Sequence, residues 1–241
     1  MKNNLGIFIQ ARMGSTRLPG KIFKDIGGRP ALKILIDNLK KTQYGRNIFV
    51  LTSDQGRDDV IEKFAENEGV KFFRGSEDDV LDRFFQAALK FKIDDIVRLT
   101  GDCPFLSMEV LDENIRGYYQ NDRPDYFFVK DYPNGLGAVE VMTFAAIEKA
   151  HQESSSSYHR EHVMTFIEDN PEKFRVLIED AALKYNHPDI RLTLDEENDL
   201  NLLRTVYQRL NGQISLDQII NLFTGEPSLT NINSDVKQKT R

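Results

Sequence analysis

Three cations fall within ten residues in the stretch Gln10-Ala11-Arg12-Met13-Gly14-Ser15-Thr16-Arg17-Leu18-Pro19-Gly20-Lys21. Gly14 and Gly20 allow the backbone close to a ligand, and Ser15 and Thr16 add hydroxyl and N–H donors. With Arg12, Arg17 and Lys21 supplying charge, the stretch has the composition of a polyphosphate nest. It is neither G-x-x-x-x-G-K-[ST] nor G-x-G-x-x-G. A solvated basic loop between a strand and a helix accounts for it equally well.

Two carboxylates follow apolar runs. Asp102 comes after Asp95-Ile96-Val97-Arg98-Leu99-Thr100-Gly101 and before Pro104. An aspartate there can hold a hard cation through oxygen, or it can cap the next turn. Asp195 follows Ile190-Arg191-Leu192-Thr193-Leu194 and carries the same two readings, since Glu196 to Asp199 favour a helix start. Asp78-Asp79-Val80-Leu81-Asp82-Arg83 reads as an acidic helix start, which explains Asp78 and Asp79 better than Arg74, Asp82 or Arg83. Arg160-Glu161-His162 follows a serine run and reads as a solvated face without a metal partner for the histidine. Cys103 has no His or Cys partner nearby and reads as a small buried residue, not a nucleophile.

Alternating elements must position these residues. Apolar strands over 5–9, 48–52, 70–73 and 95–99 are separated by helical patterns over 31–41, 58–67 and 78–91, with a further helix over 108–119. That order predicts an α/β fold with a mostly parallel sheet and a ligand crevice at its carboxyl ends. The second half is less regular, with strands over 126–129, 139–141 and 190–194 and helices over 144–150 and 160–168. Another helix follows, with Leu200, Leu203, Val206 and Leu210 on its buried face. The reading is one domain over 1–225, a small subdomain inserted at about 130–188, and a frayed polar tail over 226–241.

Composition narrows the partners. The net charge of −6 without a basic block argues against nucleic acid, and no apolar run is long enough for a membrane span. One cysteine excludes a disulfide framework, and the start of the chain shows no signal-peptide pattern, so a cytoplasmic setting is expected.

A-R-x-x-S-T-R-L-P-G-K after the first strand resembles the signature loop of the sugar cytidylyltransferases. That group includes the 3-deoxy-manno-octulosonate and acylneuraminate enzymes, and the likeness extends in particular to the spore coat polysaccharide biosynthesis proteins. Further motifs recur in the family's order: Phe73 to Arg83, Arg98-Leu99-Thr100-Gly101-Asp102-Cys103-Pro104, Gly135-Leu136-Gly137-Ala138-Val139-Glu140-Val141, Arg160-Glu161-His162-Val163, and Arg191 to Glu196. The likeness covers the chain from about residue 5 to residue 208.

The resemblance implies a Rossmann-like nucleotidyltransferase fold and transfer of a cytidylyl group from CTP to a sugar acid or sugar-like acceptor, with release of pyrophosphate. Arg12, Lys21 and Asp102 would carry catalysis. Gln10, Ala11, Met13, Gly14, Ser15, Arg17 and Gly101 would join Arg12 and Lys21 around the nucleotide, with Arg74, Asp82 and Arg83 along the nucleoside. Gly135, Glu140, Arg160 and Glu161 would face the acceptor, Asp102 and Asp195 would hold Mg2+, and the protein would be a homodimer. Two other readings stay open: a nucleotidyltransferase acting on a sugar phosphate with another nucleotide, and a glycosyltransferase-like protein. The latter would typically show D-x-D, and Asp102-Cys103-Pro104 does not.

Overall fold

The apolar runs of the first hundred residues are buried on both faces because they form the middle of a sheet that helices cover on either side. The computed structural model describes residues 3–237. Its strands are β1 (Leu5–Gln10), β2 (Asp25–Ile26), β3 (Arg29–Pro30), β4 (Ile48–Ser53), β5 (Lys71–Gly75), β6 (Asp95–Thr100), β7 (Tyr126–Lys130), β8 (Glu140–Thr143) and β9 (Val176–Asp180). Helices are α1 (Ala31–Leu39), α2 (Asp59–Asn67), α3 (Val80–Phe91), α4 (Met108–Gln120), α5 (Phe144–Glu153), α6 (Ser157–Glu161), α7 (Thr165–Glu168), α8 (Glu197–Arg209) and α9 (Leu216–Gly225). Among the described residues no helix is long and apolar enough to cross a membrane.

Seven strands form one sheet in the order β5-β4-β1-β6-β8-β7-β9, and β2 and β3 make a separate ribbon. Neighbours among β5, β4, β1 and β6 are parallel, β8 is antiparallel to both β6 and β7, and β9 is parallel to β7. The chain thus adopts the expected α/β architecture. Ile7, Ile9, Val50 and Val97 enter one core with α1, α4 and α8, while Phe8, Phe49, Leu51 and Ile96 enter a second with α3 and α5. Strand order reverses at β1, whose sequence successor β4 lies on one side and β6 on the other. A crevice opens at such a switch point, at the carboxyl ends of the two strands.

The second half departs from expectation in four places. Residues 190–194 form no ladder; the segment is extended but touches Asn134 through one isolated bridge at Arg191. It is held instead by single bonds, from Leu192 N to Asn134 O at 2.8 Å and from Leu194 N to Asp102 O at 2.8 Å. The helix expected over 160–168 is two short helices, α6 and α7, broken at His162. Strand β9 and helix α9 were not expected, β9 because its exposed half, Ile178-Glu179-Asp180, carries no alternating apolar signal. The polar end is not frayed over 226–237: Pro227–Ile232 form a 3-10 helix, and Leu229 and Val236 are buried. Asn233 anchors that end, donating to Arg191 O at 3.1 Å and to Asp199 Oδ1 at 2.9 Å. Residues 238–241 of the expected tail lie outside the described residues.

Candidate active site

The loop after β1 lies across the crevice and is pinned from below. Asp58, completely buried, accepts from Met13 N at 2.7 Å and from the Ser53 hydroxyl at the end of β4. Gly20 turns the loop with φ +65°, which only glycine adopts without strain. A Cβ at Gly14 would sit 2.9 Å from the Arg57 guanidinium and 3.0 Å from Glu77 Oε1, so the ends of those two side chains would have to shift. The resulting cavity of about 320 Å³ is lined on this side by Gln10, Ala11, Arg12, Gly14, Ser15, Thr16, Arg17 and Lys21. Thr100, Asp102 and Asp195 line the strand-end side, and Glu161 and His162 the far side.

Each loop cation meets an internal carboxylate. Lys21 Nζ is 2.5 Å from Asp102 Oδ2 and 2.7 Å from Asp195 Oδ1. Arg17 reaches Asp195 at 3.2 Å and Glu196 at 3.1 Å, and Arg12 lies 3.7 Å from Glu77. Arg191 holds the other Asp195 oxygen at 2.6 Å. Burial alone would depress the Lys21 pKa, but the two aspartates outweigh it and raise it above the ordinary lysine value. Burial works against the charge of Asp195 too, yet Lys21, Arg191 and Arg17 together hold its carboxyl below the usual range.

Among the described residues neither aspartate side chain caps a backbone. Glu196 caps α8, and Asp199 completes the capping box, accepting from Asp195 N at 2.9 Å and Glu196 N at 3.1 Å. Among the described residues, the Asp102 carboxylate accepts from Lys21 and, at 3.7 Å, from the Cys103 thiol. Two hard oxygen donors therefore converge on one positive charge. No group of three or more His, Cys, Asp or Glu side chains among the described residues could enclose a metal. A site of two carboxylates fits a Mg2+ that keeps waters and takes phosphate oxygens as its other ligands. Cys103 is buried and its thiol pKa is raised by that burial and by Asp102, as expected of an inert residue.

A second cavity of about 250 Å³ adjoins the first and shares Arg17, Thr100, Asp102 and Asp195 with it. Its own walls are Arg98, Phe128, Asn134, Gly135, Ala138, Glu140 and Thr193. Gly135, at φ +89°, packs so closely on the 190–194 segment that a Cβ would meet Leu192 O at 2.6 Å.

Several residues singled out in the sequence do not line either cavity. Met13 and Gly101 instead serve the backbone next to the first, Met13 O accepting from Ser15 N and Gly101 N donating to Gln10 O. Arg74 is turned away and saturated by Asp59, Glu62 and the carbonyls of Ser53 and Gln55. Asp82 pairs with Gln86 and His151. Arg83 is buried beneath the loop, donating to the carbonyls of Ser76 and Glu77, and burial, helped by Arg12, lowers its pKa to about 10. Arg160 is spent on Asp79 and the carbonyls of Ser154 and His151. Conversely, Asp58, Arg98, Thr100, Asn134 and Arg191 bear on the site without having been assigned a place in it. Arg98, Thr100 and Arg191 sat inside the quoted motifs, whereas nothing local marks Asp58.

A family model described as cytidylyltransferase matches residues 7–221. An uncharacterised protein of Methanocaldococcus jannaschii is 39% identical over 235 residues, covering 96% of this chain and 95% of its own. The spore coat polysaccharide biosynthesis protein SpsF of Bacillus subtilis is 32% identical over 231 residues, covering 93% and 96%. The solved structure of a cytidylyltransferase from Leptospira borgpetersenii superposes with a TM-score of 0.88 at 32% identity, over 99% of both chains.

Proposed function

The chain belongs to the cytidylyltransferase family, and we propose that it transfers the cytidylyl group of CTP to a sugar acid or sugar-like acceptor. The products are pyrophosphate and an activated CMP-sugar, for use in surface polysaccharide or glycan synthesis. One observation carries this reading: two cavities, one bordered by the loop cations Arg12, Arg17 and Lys21 and the other by Arg98, Gly135 and Glu140, meet at Asp102, Asp195 and Arg17. A transfer between two bound molecules needs such a seam. The biosynthetic setting rests on the likeness to the spore coat polysaccharide protein.

In this reaction the acceptor oxygen attacks the α-phosphorus in line. A new phosphorus–oxygen bond forms as the bond to the β-phosphate bridge breaks, and pyrophosphate leaves with the bonding pair. Little covalent chemistry falls to the protein, so positioning and charge neutralisation dominate. Arg12 and Lys21 hold the triphosphate and offset the charge that develops on the leaving group, and Arg17 stands beside them. Arg12 is paired with Glu77 and Lys21 with Asp102 and Asp195, so each must exchange a carboxylate for a phosphate oxygen when the nucleotide binds. Asp102 and Asp195 would hold Mg2+, which when bound neutralises phosphate charge. Gly135, Glu140 and Asn134 border the acceptor, with Glu161 and His162 across the nucleotide cavity.

The test is pyrophosphate release with each nucleoside triphosphate against a panel of keto-sugar acids and sugar phosphates. CTP with a keto-sugar acid is the expected pair. Preference for UTP or dTTP with a hexose 1-phosphate would replace this reading.

A further inference from the structure

Gln10 and Arg98 meet at the boundary of the two cavities. Arg98 lies opposite Phe8 on β1 and opposite Glu140 on β8, so its direct neighbour is Glu140 and its diagonal one Gln10. One guanidinium nitrogen donates to the Glu140 carboxylate, and the other donates to Gln10 Oε1 at 3.2 Å. Glu140 is buried and accepts from the Tyr126 hydroxyl at 3.1 Å, which holds the far end of the pair.

Arginine has donors only, so the Gln10 atom facing it must be the amide oxygen. The amide nitrogen is thereby turned to the other side. Among the described residues it has no hydrogen-bond partner, and Gln10 lines the nucleotide cavity whereas Arg98 and Glu140 line the acceptor cavity. The Arg98 Nε is buried and has no hydrogen-bond partner among the described residues, so the guanidinium's side-chain contacts are those to Glu140 and Gln10.

We propose that Arg98 is a positioning residue that locks the Gln10 amide so that its N–H2 donates to an oxygen of the bound nucleotide. The inference rests on the proposed cytidylyl transfer and adds to it a neutral donor, set by a residue that does not itself line the nucleotide cavity. Rotation of the amide would present an oxygen to an anionic ligand, and the Arg98 contact forbids that rotation.

The experiment is calorimetric titration of CTP, with Mg2+ present, into the wild type, Gln10→Met, Arg98→Lys and the double variant. Lysine keeps a charge for Glu140 but lacks the fork that also reaches Gln10. Each single change is expected to weaken CTP binding about fivefold, the worth of one hydrogen bond. The double variant is expected to bind no more weakly than the weaker single one. Wild-type affinity in Arg98→Lys, or losses that multiply in the double variant, would overturn the role of Arg98 and leave cytidylyl transfer standing. A wild type that binds no CTP would overturn both. Should Arg98→Lys fail to fold, the side-chain amide resonances of Gln10, assigned by their loss in Gln10→Met, provide the readout in the wild type. They are expected to shift on CTP addition, and unmoved resonances would overturn the proposal.

Discussion

Nζ of Lys21 lies 2.5 Å from Oδ2 of Asp102, joining a loop to a strand end 81 positions along the chain. The same ammonium touches Asp195 at 2.7 Å, on a segment that belongs to no ladder of the sheet. Three distant stretches thus close on one charge. The pair is sheltered, with the Lys21 side chain 14% and the Asp102 side chain 21% exposed.

Replacing either loop cation is expected to weaken nucleotide binding while leaving the fold intact. A charge-assisted contact contributes roughly 1.5–3 kcal/mol, so Arg12→Ala and Lys21→Ala are each expected to lose about tenfold or more in CTP affinity. Lys21→Ala also leaves Asp102 and Asp195 facing each other without their shared cation. Its melting temperature is expected to fall further than that of Arg12→Ala, whose side chain is more exposed. Normal CTP binding in both variants would remove the loop from the site.

Selectivity for the base is read without knowing the acceptor. A ligand that binds only the folded state stabilises it by mass action. CTP with Mg2+ is therefore expected to raise the melting temperature more than ATP, GTP or UTP at equal concentration. A larger rise with UTP would contradict the cytidylyl assignment.

Asp58 is expected to matter as much as the loop it holds. Asp58→Ala removes the carboxylate that receives the partly buried Met13 N and the buried Ser53 hydroxyl, at a cost of about 2 kcal/mol or more. Calorimetry is expected to show CTP affinity reduced along with stability. A variant that melts earlier yet binds CTP normally would show that the loop keeps its shape without Asp58.

The contrast between Lys21 and Asp58 explains what could be read from the sequence. The cations, glycines and hydroxyls of the first loop are neighbours in the chain, so their grouping was legible, as were β1, β4 and β6 from their unbroken apolar runs. Asp102 was legible as a strand-end carboxylate, and Asp195 was read as one although its segment joins no ladder; both were left ambiguous, because capping and coordination use the same residue type. Asp58 was not, since its partner Met13 is 45 positions away and nothing local distinguishes it from an ordinary turn. Arg74 misled for the mirror reason: it sits in a matching motif, yet Asp59 and Glu62 on the adjoining helix claim its guanidinium.

Gly135 tests the wall of the acceptor cavity. Alanine there must adopt a left-handed conformation costing about 1–2 kcal/mol, and its Cβ would press on Leu192 O. The 190–194 segment must move, and Asp195 with it. Gly135→Ala is expected to lower the melting temperature and to slow pyrophosphate release, with CTP affinity reduced less than turnover. Unchanged turnover would separate this wall from the reacting centre.

The aspartate pair gives the sharpest test. Among the described residues neither carboxylate caps a turn or helix, so asparagine keeps the size of each side chain while removing its charge, one oxygen and the ion pairs to Lys21, Arg17 and Arg191. If the two hold Mg2+ together, Asp102→Asn and Asp195→Asn each reduce turnover by about a hundredfold or more, and the double variant is little worse than either. Residues that act as one unit do not contribute independently. Calorimetric titration of Mg2+ in the presence of CTP supplies a second readout, in which each single variant is expected to lose the metal-dependent gain in nucleotide affinity. Losses that multiply in the double variant would mean separate tasks. A variant with wild-type turnover across a magnesium titration would leave that aspartate as a partner of Lys21 and nothing more.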